Sequence, residues 1–350
     1  MMSDLTETEV WHASEDGIET YYIYGLAASG QTVFAFAEAR IERHDKSPHH
    51  IVLKRSFDQG QTWEKNQFLV KSKNGECFAN PVPVIDRASG KLHLFYGRNF
   101  DNESAELKLI SSDDNGETWS GEFDLTHLFY DNEHGWTMHL PGPGHGIQTR
   151  CGRMIVPVWH RRRLELPPNE RRYGISMILS DDGGTTWSTG GIVPVDDSRI
   201  NESRIVELPN DDLILNARSG AFVTSDRFAS RSSDSGSSWS RPEATTSLTE
   251  VFATDAGFIA VDSELVLTRP AGVNSREDLT VYLSDDEMKT WTYSRAIYSG
   301  PAGYSDAVNL GDGSVGVLYG RDLLAEDIDV EGNVRQTMFA KFDLSWIKEL

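Results

Sequence analysis

One eight-residue pattern recurs five times along the chain: SFDQGQTW (56–63), SDDNGETW (112–119), SDDGGTTW (180–187), SSDSGSSW (232–239) and SDDEMKTW (284–291). The shared form is S-x-D-x-G-x-[TS]-W, with Met288 in the glycine's place in the last copy. The closing tryptophans, Trp63, Trp119, Trp187, Trp239 and Trp291, stand 56, 68, 52 and 52 residues apart. At that spacing 350 residues hold about six units. Asp-x-Gly-x-Thr is turn chemistry, because aspartate bonds nearby backbone amides and glycine takes positive φ. The tryptophan then pins the turn by packing between neighbouring sheets. The boxes are therefore expected to be folding turns, and their aspartates are not candidates for catalysis.

Each box follows an extended apolar stretch, such as HHIVLKR, ELKLIS, GISMIL or LTVYL. Between them run further short strands with turn signals, among them GKLHLFYG, GRMIVPVW, DDLILNARS and GSVGVLYG. Helical periodicity is scarce. About six repeats of about four strands predict an all-β chain folded as a six-bladed β-propeller, one domain over residues 1–350 with five recognisable boxes.

Charge narrows the partners. Lysine and arginine number 33 against 54 aspartates and glutamates, a net charge of −21. Such a chain lacks the basic footprint of a duplex nucleic-acid binder and is disfavoured at anionic membranes. Local arginines can still dominate a cleft. Two cysteines, Cys77 and Cys151, are too few for a disulfide framework, and no Cys/His spacing marks a zinc site. No metal or cofactor is expected, and oligomeric state is open. The first residues, MMSDLTETEV, lack the features of a signal peptide, so the expected location is cytoplasmic, or secreted if a leader was removed. No apolar run of about 18 residues is present to span a bilayer.

Several segments, in order, resemble the sialidase (neuraminidase) family of six-bladed propellers, whose repeats are known as Asp-boxes. FAFAEAR (34–40), followed five residues on by Asp45, is similar to the family's first catalytic loop. NPVPVID (80–86), GPGHGIQ (142–148), NESRIVEL (201–208) with LNARS (215–219), SREDLTVYLSDDEMKTW (275–291) and GPAGYSDAVNLGDGSVGVLY (300–319) continue the likeness. The resemblance implies a role for each matching position. Asp45 corresponds to the acid/base, Tyr304 to the nucleophile and Glu202 to that tyrosine's partner carboxylate. Arg218 and Arg276 correspond to two members of an arginine triad that grips the substrate carboxylate, and Arg40 to a further pocket arginine.

The chemistry is coherent. A 2-keto acid sugar carries a carboxylate on its anomeric carbon, which repels an anionic nucleophile. A neutral phenol avoids the repulsion, and a nearby glutamate can take its proton as the bond forms. Sialidases are an established tyrosine exception among glycosidases. Asp45 would protonate the leaving oxygen and then activate water. Arginine's planar fork suits a carboxylate. Other uses remain open at each position: Asp45 as a solvated loop residue, Tyr304 as core or turn, Glu202 as a surface cap, Arg218 and Arg276 in structural ion pairs. His49 and His50 invite a metal reading with His44, but adjacent residues on a strand face opposite ways. DIDVEGN (327–333) lacks the terminal glutamate of a calcium loop.

The likeness breaks in one place. The family's first triad arginine lies in a segment like Tyr-Arg-Ile-Pro-Gly; here Tyr21-Tyr22-Ile23-Tyr24-Gly25 stands there, so Tyr22 occupies the arginine's position. The first arginine in the chain is Arg40. The glutamate that supports the missing arginine is also absent, replaced by Gly320 in VLYG. As a strand, TYYIY sends Tyr22 and Tyr24 to one face and Tyr21 to the other. Meanwhile Arg161, Arg162, Arg163, Arg171 and Arg172 cluster in WHRRRLELPPNERRY, as a solvated loop or as anion contacts at the cleft mouth.

The expected activity is that of a retaining exo-glycosidase, acting on a terminal sialic acid or related nonulosonic (2-keto-3-deoxy) acid through a tyrosyl-glycoside intermediate. The alternatives are a carbohydrate-binding pseudoenzyme that lost the full triad, and another propeller hydrolase or lyase acting on a different acidic glycan.

Overall fold

A computed structural model describes residues 5–349 apart from 100–102, 164–165, 168–171, 196–199, 220–226, 246–247, 249–252 and 324–333. Arg171 and the DIDVEGN segment lie outside the described residues. The described chain is all-β, with helix limited to two 3-10 turns and Leu344–Lys348.

The strands form antiparallel meanders. Thr20–Ser29, Thr32–Arg40 and His49–Ser56, with Gln67–Val70 at the edge, make the first. Cys77–Ile85, Leu92–Asn99, Glu106–Ser112 and Phe123–Asp124 make the second, joined to the first by one parallel pair, His49 and Cys77. In the third, Met138–Pro141 and Ile147–Gln148 both pair with Met154–Arg161, followed by Tyr173–Ser180 and Ser188–Ile192. The fourth is Ile200–Glu207, Leu213–Ser219, Arg227–Ser232 and Glu243–Thr245. The remaining sheet runs from Gly257–Val261 through Glu264–Pro270 and Glu277–Ser284 to Tyr293–Asn309. That 17-residue strand pairs with Glu277–Ser284 in its first half and with Ser314–Leu323 in its second. Val334–Asp343 follows, and Thr6–His12 completes the sheet beside it.

Successive meanders touch in a circuit through Thr20–Ser29, Cys77–Ile85, Met154–Arg161, Ile200–Glu207, Gly257–Val261 and Tyr293–Asn309, the last of which lies against the first. Apolar side chains fill the spaces between sheets, as alternating strands with both faces covered require.

All five boxes fold into the same turn. In the first, Ser56 Oγ donates to Asp58 and accepts from Gly60 N at 2.7 Å, while Asp58 accepts from Thr62 N at 2.8 Å and from its hydroxyl at 2.6 Å. Equivalent bonds recur about Asp114, Asp182, Asp234 and Asp286. Position five needs positive φ, and a Cβ at Gly184 would sit 2.2 Å from the His93 ring. Met288 adopts φ 69° there, with its side chain buried against the fourth and fifth meanders. Trp63 packs edge-on against Phe339, Trp119 against Phe36 and Trp187 against Phe95, each on a neighbouring meander.

Candidate active site

Four inner strands lose register where the circuit encloses a cavity: between Tyr22 and Tyr24, Ala79 and Val82, Ile200 and Ser203, and Ala302 and Ser305. An extra residue in one strand of a pair re-aims its side chains. The result is that Tyr22, Asn80, Glu202 and Tyr304 all line one cavity of about 230 Å³. Ile23 holds φ 53° in the first bulge, an uncommon conformation for a β-branched residue that costs about 1–3 kcal/mol unless its surroundings enforce it. The bulge does not part Tyr22 from Tyr24, whose rings meet as TYYIY predicts. Tyr21, Tyr22 and Tyr24 are all buried, Tyr21 stacks on Trp11, and Tyr22 meets Tyr24 edge-on.

All seven expected site residues border this cavity, which no box residue lines. At its floor the Tyr304 hydroxyl donates to Glu202, with the carboxylate oxygens at 2.9 and 3.0 Å. Arg218 donates to Glu202 at 2.6 Å and to the Tyr304 oxygen. Burial raises the Tyr304 pKa well above its ordinary value, Arg218 opposes this and Glu202 adds to it, so the resting phenol is neutral. Burial alone would lower the Arg218 pKa, but Glu202 and Tyr304 outweigh it and keep the guanidinium charged.

Asp45 stands on the loop after Thr32–Arg40, with its side chain 58% exposed and one oxygen 2.7 Å from Arg40 Nη1. Arg40 also donates to Glu38 from Nε and Nη2, at 3.0 and 2.8 Å. Glu38 accepts from Asn80 N at 2.9 Å. Burial would raise the Glu38 pKa, but Arg40, His49 and the Asn80 amide together hold it below the ordinary range. The loop is tied down from beneath at two points. His49 Nε2 lies 3.1 Å from the His44 carbonyl, and the Cys77 thiol donates to the Asp45 carbonyl at 3.4 Å. Cys77 and His49 touch each other at 3.3 Å. His49 points inward while His50 packs on Phe68, as their adjacency on a strand predicts.

The third corner joins both ends of the chain. The Tyr22 hydroxyl accepts from Arg276 Nη1 and from the Tyr304 backbone N–H, both at 3.3 Å. Its ring lies 5.1 Å from that of Tyr304, and the Arg40 guanidinium stands over it at 5.2 Å. Gly303 makes room, since a Cβ there would fall 2.8 Å from the Tyr22 ring. Gly320 neighbours Tyr24 instead: its Cβ would meet the Tyr24 hydroxyl at 2.7 Å, so a larger residue has no space.

Of the basic loop, Arg161 lines the cavity from the end of its strand, while Arg163 and Arg172 are exposed. Sequence reasoning overlooked Glu38, Cys77, Asn99, Trp159 and Asn201 as cavity residues. Glu38 carried a visible signal, a carboxylate two residues before Arg40 in an otherwise apolar strand.

The BNR repeat-like domain family matches residues 31–317. Sialidase-2 of Mus musculus is 27% identical over 334 residues, spanning 86% of this chain and 87% of the mouse protein. A sialidase of Micromonospora viridifaciens is 26% identical across 98% of this chain and 54% of its own length. Among solved structures, the Hadza microbial sialidase Hz136 superposes with a TM-score of 0.82 at 24% identity, covering 97% of this chain and 69% of that one.

Proposed function

The chain belongs to the BNR repeat-like family of the sialidase superfamily, and from that premise we propose that it is a retaining exo-glycosidase releasing a terminal sialic acid or related nonulosonic acid. The fold is read as a six-bladed propeller of one domain, with five Asp-boxes on its blades and the site at the centre of the ring.

The observation that carries the activity is the Tyr304–Glu202 pair. A neutral phenol already hydrogen-bonded to a carboxylate can lose its proton to Glu202 as its oxygen attacks the anomeric carbon. Asp45 delivers a proton to the leaving oxygen in that step and takes one from water in the next. Arg276, anchored by Tyr22, grips the substrate carboxylate, with Arg218 beside it and Arg40 holding Asp45 in place. Tyr22 stands where a further carboxylate-gripping arginine would, so that either the hold on an ordinary sialoside is weakened or the pocket is refitted to a different acid sugar.

A fluorinated nonulosonic acid sugar tests the mechanism. Mass spectrometry should find a covalent adduct on Tyr304. Binding across a panel of acid sugars without adduct or turnover would point to a pseudoenzyme, and an unsaturated product absorbing in the near ultraviolet would point to a lyase.

A further inference from the structure

Two residues beyond Tyr304 and Glu202 on their strands stand Asp306 and Arg204, and these two also meet. Arg204 Nε donates to Asp306 at 3.1 Å, while Nη1 and Nη2 donate to the two oxygens of Asp255 at 3.3 and 2.7 Å. Asp306 further accepts from His145 Nδ1 at 3.0 Å and from the Leu26 backbone N–H at 2.9 Å. Arg204, Asp255 and Asp306 are all fully buried. Burial would lower the Arg204 pKa, but Asp255 and Asp306 outweigh it and keep the guanidinium charged.

The cluster sits where the inner strands converge. Leu26 comes from the first meander, His145 from the third and Arg204 from the fourth, while Asp255 leads into Gly257–Val261. Ile200–Glu207 and Tyr293–Asn309 lie in separate sheets, so side chains set the spacing between Glu202 and Tyr304. Gly144 admits the guanidinium to this place, because a Cβ there would fall 1.8 Å from Arg204 Nε.

Arg218 also spans Glu202 and Tyr304, but at their reacting ends. Those contacts change during the reaction, since the phenol loses its proton and takes up the sugar. Arg204, Asp255 and Asp306 stand outside the cavity lining, so their pairing lasts through the cycle. A misplacement of about 1 Å at a reacting centre can cost on the order of a hundredfold in rate. We infer that Arg204 is a positioning residue: by bridging Asp306 and Asp255 it holds Glu202 at proton-transfer distance from Tyr304. This rests on the glycosidase reading of the Tyr304 cavity.

Arg204→Lys keeps the charge but gives up the planar fork that reaches both carboxylates. On an activated aryl nonulosonide kcat should fall about thirtyfold, with KM within about threefold. The same change made in the Glu202→Gln enzyme should cost less than about threefold, because the proton acceptor it positions is already gone. Retained kcat overturns the inference, and so does the same proportional loss in both backgrounds, which a purely structural role would give. Gly144→Ala removes no charge and crowds the guanidinium out of place. It should show the same loss in kcat and the same dependence on Glu202, and it decides the matter if Arg204→Lys does not fold. Binding of a 2,3-unsaturated acid sugar reports the pocket apart from the chemistry, and should stay within about threefold in each variant; a larger loss overturns the inference. Wild-type enzyme that hydrolyses no nonulosonide would sink the glycosidase reading itself, whereas turnover that Arg204 does not influence sinks this inference alone.

Discussion

The hydroxyl of Tyr22 accepts a hydrogen bond from Arg276 at 3.3 Å, tying a residue near the start of the chain to a guanidinium near its end. If Tyr22 anchors that cation for substrate, Tyr22→Phe should loosen binding more than chemistry. We expect KM to rise by about three- to tenfold with kcat nearly unchanged. Steady-state kinetics on the preferred acid sugar decides this, and unchanged KM would reduce Tyr22 to packing.

Tyr304→Phe should stop turnover, with kcat falling on the order of a thousandfold or more. Arg218 and Glu202 remain paired at 2.6 Å without the phenol, so the fold should lose only about 1 kcal/mol. Glu202→Gln should slow the first chemical step while keeping substrate binding. Single-turnover kinetics beside thermal melts separate these effects. Full activity in Tyr304→Phe would exclude the tyrosyl intermediate.

His49 and Cys77 hold the Asp45 loop by its backbone. His49→Ala should therefore act through the acid. Substrates with poor leaving groups should lose about tenfold or more in kcat, and activated aryl glycosides should lose much less. Equal losses across a leaving-group series would mean that His49 supports the fold and not the loop.

Two buried histidines make stability depend on acidity. His139 Nδ1 lies 2.9 Å from His160 Nδ1, and His160 Nε2 lies 2.7 Å from Ser176 Oγ, within a shell of Phe129, Trp136 and His134. Burial depresses His139 to about 4. Burial, followed by His139 and His134, lowers His160 well below its ordinary value. Both shifts are downward, so the unfolded chain binds protons below about pH 6.5 that the folded chain refuses. Stability is full above that pH and declines as pH falls toward 4. Melting temperatures from pH 8 to 4 should show the decline, and His139→Phe should flatten it. An identical slope in the variant would remove this pair as the cause.

The boxes made the repeat legible because each is a local device. Serine, aspartate and glycine within eight residues specify the same turn wherever they occur, and Met288 changes only what fills the space beside it. Alternation likewise separated His49 from His50. It held for Tyr22 and Tyr24, which meet while Tyr21 turns to Trp11, but the Ile23 bulge between them is written in no local pattern. Asn99, Trp159 and Cys77 were hidden for the same reason. Each is an ordinary strand residue until neighbouring sheets bring it to the cavity wall.

Thr6–His12 lies in register against Val334–Asp343, from Thr6 beside Lys341 to His12 beside Gln336. On the ribosome, Thr6–His12 must wait for Val334–Asp343 to emerge before it can pair. Tyr22 also waits for Arg276 and Tyr304. Contacts so distant in sequence slow folding and leave edge strands uncovered meanwhile. The Tyr304 cavity is thus among the last parts to assemble during synthesis, and a nascent chain stalled before Val334 would carry Asp45, Glu202 and Tyr304 on an unfinished circuit of sheets.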